Sequence, residues 1–130
     1  MMTNFSRRTL IIAGLASALA APALAQDSGG TIPGFDEALA AGGPVLMHTT
    51  ATWCEVCQAQ KPIVSSLLAT PDFSAMKVFE VDFDTQKEVL RRYNVQRQST
   101  MIIYKAGQEV DRQVGQTDPA VIESFLRKAL

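Results

Sequence analysis

The sequence predicts an α/β domain: a mixed central sheet with helices on both faces. Three observations carry this. Short apolar runs of strand character alternate with stretches of helical period, in the order α-β-α-β-α-β-β-α. Strands separated by helices favour parallel crossovers. The last two strands flank Ala106-Gly107, a tight turn that makes an antiparallel hairpin.

The elements follow in chain order. Residues 26–34, rich in Gly, Ser and Pro, read as a flexible leader to the fold. Phe35–Ala41 (FDEALAA) can form a short helix, stopped by Gly42-Gly43-Pro44. Val45–Thr50 (VLMHTT) is apolar and β-branched, a buried strand. Residues 55–69 show helical spacing through Val56, Ala59, Ile63, Val64, Leu67 and Leu68, with Pro62 inside as an expected kink. Residues 77–84 alternate, placing Phe79, Val81 and Phe83 on one strand face. Residues 86–93 form about two helical turns. Residues 100–104 (TMIIY) and Gln108–Val114 are the hairpin strands. Asp118-Pro119 is an N-cap followed by proline at the first helical position. It opens a helix with Val121, Ile122, Phe125, Leu126 and Ala129 on its apolar face.

A chain of 130 residues suits one modest core and leaves no room for a multi-domain enzyme. Residues 1–25 read as a secretory signal peptide. A short basic start precedes the apolar run LIIAGLASALAA, and Ala23-Leu24-Ala25 is a small-x-small cleavage pattern. The alternative, a membrane anchor, is disfavoured because the apolar stretch falls short of the roughly 20 residues a span needs and contains Pro22. Ser6-Arg7-Arg8-Thr9-Leu10-Ile11 also resembles a twin-arginine export motif, although paired arginines occur in ordinary leaders too. The expected destination is the bacterial periplasm, where thiols meet an oxidising environment. Without Arg7 and Arg8, ten basic and thirteen acidic side chains leave a charge of −3. No basic stripe exists to neutralise phosphates, so nucleic acid is not an expected partner.

The two cysteines are spaced as Cys54-Glu55-Val56-Cys57, at the start of a helix. A reversible dithiol needs two sulfurs close enough to bond and a means of stabilising one thiolate. A helix N-terminus, with its unpaired N–H groups, supplies the second. Cys54 is then the attacking thiol and Cys57, one turn further in, the resolving one. A zinc site would need about four ligands, and only Cys54, Cys57 and His48 are of the usual soft type. A structural disulfide closing so small a loop would gain little chain entropy. Redox chemistry is the expectation. A secreted metal-binding carrier using the same two cysteines, without redox turnover, is the alternative function.

The run Ala51-Thr52-Trp53-Cys54-Glu55-Val56-Cys57, then Pro62, Tyr93-Asn94-Val95, and Lys105-Ala106-Gly107 after the third strand, resembles the thioredoxin family over residues 35–130. With its leader the chain is similar to secreted thioredoxin-like reductants, including the C-terminal domain of the transmembrane reductant DsbD. The resemblance implies a thioredoxin fold, thiol:disulfide exchange with client protein disulfides, a monomer, no bound cofactor, and Trp53 as a partner-facing lid. By analogy, membrane thiol reductants of the DsbD or CcdA type are expected electron sources.

Three departures from the family pattern bear on the details. Glu55-Val56 stands between the cysteines in place of Gly-Pro. A carboxylate there disfavours the Cys54 thiolate by about 1–3 kcal/mol before exposure and salt reduce it. The helix terminus favours that thiolate by only about 0.3–1 kcal/mol. Cys54 is therefore not expected to be strongly acidified, which leans the protein toward reduction, unless Glu55 merely tops the helix. Second, the family's buried aspartate falls on His48 and its lysine partner on Glu80. His48 is either a proton acceptor for Cys57 or a core histidine bonded to Glu80. Third, the family's cis-proline falls on Ser99, in the substrate-pairing segment Gln98-Ser99-Thr100. A non-proline cis bond costs about 2.5–4 kcal/mol, so a trans bond and a strained cis bond are both open. In the family that proline is also thought to keep metals off the thiolates, so its loss leaves metal exclusion open.

Overall fold

The computed structural model describes residues 29–130; the leader read at residues 1–25 lies outside them. The elements are α1 (Phe35–Ala41), β1 (Val45–Thr50), α2 (Glu55–Leu68), β2 (Lys77–Asp82), α3 (Lys87–Arg92), β3 (Thr100–Lys105), β4 (Gln108–Val114) and α4 (Pro119–Arg127). The sheet has the order β2-β1-β3-β4. β1 runs parallel to β2 and antiparallel to β3, and β3 pairs antiparallel with β4.

The direction of β3 corrects the expectation that an intervening helix makes a parallel crossover. β2 ends beside Thr50, and β3 starts at that same end of β1, where Met101 pairs with His48. A connection that leaves and re-enters at one end of a sheet must reverse the strand. The hairpin turn is as expected: Ala106 at φ +52° and Gly107 at φ +74° suit a type I′ turn, whose twist matches the flanking strands. A Cβ on Gly107 would meet the Leu39 carbonyl oxygen at 3.2 Å, so the position favours glycine twice over.

All six residues of β1 are buried, because the sheet is covered on both faces. Val45 and Met47 point into one core with Phe35, Val81, Leu90 and Ile102. There Phe35 makes edge-to-face contacts with Phe79, Tyr93 and Tyr104 at 5.2–5.4 Å between ring centres. Leu46 points the other way, into a core with Val64, Phe73, Met101, Ile103, Ile122 and Phe125. Part of the segment read as a leader is packed: Ile32 joins the first core, and Gly30 accepts from the Arg92 guanidinium at 3.4 Å.

Beyond one-residue shifts at the ends of α2, α3 and β3, three features differ from the sequence reading. A single 3₁₀ turn, Pro71–Phe73, follows α2 and seats Phe73 in the second core. β2 stops at Asp82, whose carboxylate accepts the amides of Asp84 and Thr85 and turns the chain out of the sheet. Val121 is exposed, so the apolar stripe of α4 is Ile122, Phe125 and Leu126, continued beyond the helix by Ala129. The Asp118 carboxylate caps that helix by accepting from the amides of Ala120 and Val121.

Candidate active site

The site is built where β1 feeds α2. Cys54 is the N-cap of α2, and its sulfur accepts the Cys57 amide at 3.1 Å. The Cys54 amide donates to the Ala51 carbonyl at 3.2 Å, which tightens the turn between strand and helix. The two cysteines are joined in a disulfide, with Cα atoms 5.3 Å apart. Cys54 retains 4% of its surface exposed and Cys57 none, so the outer sulfur is the one a second molecule can approach. Phe83 and Ala51 pack against the pair. Beside it Trp53 is 58% exposed, and its indole N–H donates to Asp84 at 2.8 Å.

Further back on β1, His48 is 1% exposed and faces α2. Burial holds its pKa below the usual histidine value, against smaller upward pulls from Gln60 and Glu80. Glu80 is the register partner of His48 on β2. No hydrogen bond joins these two side chains among the described residues: the imidazole Nε2 bonds Gln60 Oε1 at 2.9 Å, and the Glu80 carboxylate pairs with Lys61 at 3.7 Å near the surface. A cleft of about 200 Å³ between α2 and the sheet is lined by His48, Lys61, Val64, Val78 and Glu80 among others.

The Gln98-Ser99-Thr100 segment closes the other side. Every peptide bond among the described residues is trans. Ser99 instead takes a left-handed conformation, φ +61°, and its amide donates to the Thr49 carbonyl at 2.9 Å. The same carbonyl lies 4.0 Å from the Cys57 sulfur, so one strand residue carries both the inner thiol and the loop. Thr100 is buried, its hydroxyl donating to the Arg97 carbonyl at 2.6 Å; Gln98 is half-buried. Among the described residues no group of three or more His, Cys, Asp and Glu is placed to hold a metal ion.

The thioredoxin family profile matches residues 30–128. The chain belongs to the thioredoxin family. It is 35% identical over 79 residues to thioredoxin Asp f 29 of Aspergillus fumigatus, covering 61% of this chain and 72% of that one. It is 37% identical over 81 residues to an H-type thioredoxin of Fagopyrum esculentum, covering 62% and 68%. Among solved structures it is similar to Trxlp from Edwardsiella tarda, with 44% identity and a TM-score of 0.70 over 71% of this chain and 89% of that one. Thioredoxin membership and the Cys54–Cys57 disulfide make this a thiol:disulfide oxidoreductase.

Sequence reasoning missed four residues of this thioredoxin site: Gln60, Lys61, Asp84 and Gln116. Their polarity removed Gln60 and Lys61 from the apolar pattern. Of the expected stripe, Val64 is buried and Ile63, Leu67 and Leu68 pack against the core. In the first two turns, however, the buried residues are Cys57 and Gln60 rather than Val56 and Ala59, and Val56 is exposed. The signal was present in the spacing: once Cys57 faces inward, the residues three and seven further on face inward too.

Proposed function

We propose that this thioredoxin-family protein is a periplasmic reductant or electron relay that reduces client protein disulfides as a monomer. Electrons come from a membrane thiol reductant of the DsbD or CcdA type, an assignment that rests on analogy with secreted thioredoxin-like reductants. The signal-peptide pattern of residues 1–25 supports the location.

The observation that carries the direction is the Cys54 sulfur at the N-cap of α2, with one amide donated to it and Glu55 in the first turn. One N–H and a weak helix terminus favour the thiolate, and the neighbouring carboxylate opposes them. A dithiol whose reduced form is not specially stabilised gives up electrons readily.

In turnover the Cys54 thiolate attacks one client sulfur, and the other leaves as a thiolate that takes a proton from solvent. Cys57 then loses its proton to His48, which burial keeps neutral at pH 7. The Cys57 thiolate attacks Cys54, the mixed disulfide breaks, and the second client sulfur leaves with that proton. The client gains two electrons and two protons, and the protein ends in the Cys54–Cys57 disulfide. Trp53 and the Gln98-Ser99-Thr100 segment flank the client.

Equilibration of the full protein against glutathione buffers tests the direction. A potential near the roughly −270 mV of a reducing thioredoxin supports the reading, and one above about −180 mV makes the protein an oxidant. Fractionation of expressing cells tests the location: recovery in the cytoplasm would overturn it.

A further inference from the structure

Gln60 is wholly buried on the inner face of α2, one turn beyond Cys57. A buried amide is tolerable only when its polar atoms are paired. Its Nε2 faces two backbone carbonyls, Gln116 at 2.9 Å and Ser99 at 3.3 Å. Carbonyls only accept, so the NH₂ end of the amide must lie there, spending both its protons. Oε1 is then the end that faces His48 Nε2, 2.9 Å away. Two acceptors cannot share a hydrogen bond. His48 Nε2 therefore carries a proton whether the ring is neutral or cationic, and protonation changes only at Nδ1.

We propose that Gln60 is a positioning residue for the exchange reaction: it locks His48 in the Nε2–H tautomer, reserves Nδ1 for proton transfer, and ties the ring to the client-facing segment at Ser99. This rests on the reading of His48 as proton acceptor for Cys57. The charged groups around the ring are Glu80 from β2 and Lys61 from α2, and Cys57 lies one turn before Gln60 on α2. The β3 neighbour, Met101, contributes none. Glu80 and Lys61 act on the charge of the ring from a distance, whereas Gln60 selects which nitrogen is protonated.

His48 is the single histidine of the chain, so its ring nitrogens can be followed unambiguously by long-range proton–nitrogen NMR on the labelled protein. The wild-type ring should show the Nε2–H form in both redox states. Gln60→Leu, similar in size, should give a mixture of tautomers. It should also slow the resolving step by roughly tenfold, part of what a positioned base contributes, read by stopped flow as release of a chromogenic thiol from the Cys54 mixed disulfide.

An Nδ1–H ring in the wild type overturns the proposal without any variant having to fold, as does a tautomer unmoved by Gln60→Leu. If His48→Ala slows resolution and Gln60→Leu does not, the positioning role alone is wrong. If His48→Ala leaves resolution unchanged, the proton-acceptor reading has failed and the proposal falls with it.

Discussion

The Ser99 amide donates to the Thr49 carbonyl at 2.9 Å, fastening the loop before β3 to the strand that leads into the dithiol. Because the bond needs an N–H and Ser99 sits at φ +61°, the position has a sharp substitution profile. Proline has no N–H and holds φ near −65°, so Ser99→Pro should destabilise the fold by about 3 kcal/mol or more. Glycine adopts positive φ freely, so Ser99→Gly should stabilise it by about 0.5–1 kcal/mol. Urea denaturation of the three proteins checks both signs, and a proline variant as stable as the wild type would contradict the observed backbone.

The different accessibility of the two sulfurs sets the order of attack. Cys57→Ala should accumulate mixed disulfides with client proteins through Cys54, whereas Cys54→Ala should form none and lose turnover. Non-reducing gels followed by mass spectrometry read the adducts. Trapping through Cys57 instead would reverse the two roles.

Glu55 offers an electrostatic handle on the redox balance. Removing its charge in Glu55→Gln stabilises the Cys54 thiolate and hence the reduced form, so the potential should rise by roughly 10–30 mV. The measurement is the same glutathione equilibration. A potential that does not move would mean the carboxylate is fully screened by solvent.

His48 should make stability depend on pH above the carboxylate range. Its folded-state pKa is depressed by burial, so between the unfolded value near 6.5 and the lower folded value the unfolded chain binds more protons. This contribution is fully present above about pH 6.5 and is lost as pH falls toward the folded value, with a slope of at most about 1.4 kcal/mol per pH unit. The Asp82 and Asp111 carboxylates, held below their usual range chiefly by hydrogen bonds, act at lower pH. Urea midpoints between pH 5 and 8 should therefore fall with acidification in the wild type and stay flatter in His48→Asn.

The parts of the fold legible in the sequence are those whose signals are local. β1 reads as a buried strand because its apolar, β-branched run is bounded by Gly-Gly-Pro. The hairpin turn reads from Ala106-Gly107, and the Cys54–Cys57 pair from its spacing. The pairing of His48 with Glu80 in the sheet register also emerged from the family pattern, but the hydrogen-bond partner did not. Gln60 lies on a different element, and its polarity argued against burial. The antiparallel entry of β3 was hidden for a related reason: strand direction depends on which end of the sheet the chain returns to, and residues 83–99 carry no periodic mark of that.

The tie from Gln60 to Gln116 joins residues 56 apart in sequence, and its bond to Ser99 joins residues 39 apart. Closing such long loops costs chain entropy that only the rest of the domain can offset. A fragment ending before Gln116 keeps the His48–Gln60, Gln60–Ser99 and Ser99–Thr49 bonds but leaves one proton of the buried Gln60 amide without its carbonyl. The hydrogen-bonded surroundings of the dithiol are therefore complete only once the chain has been made past β4.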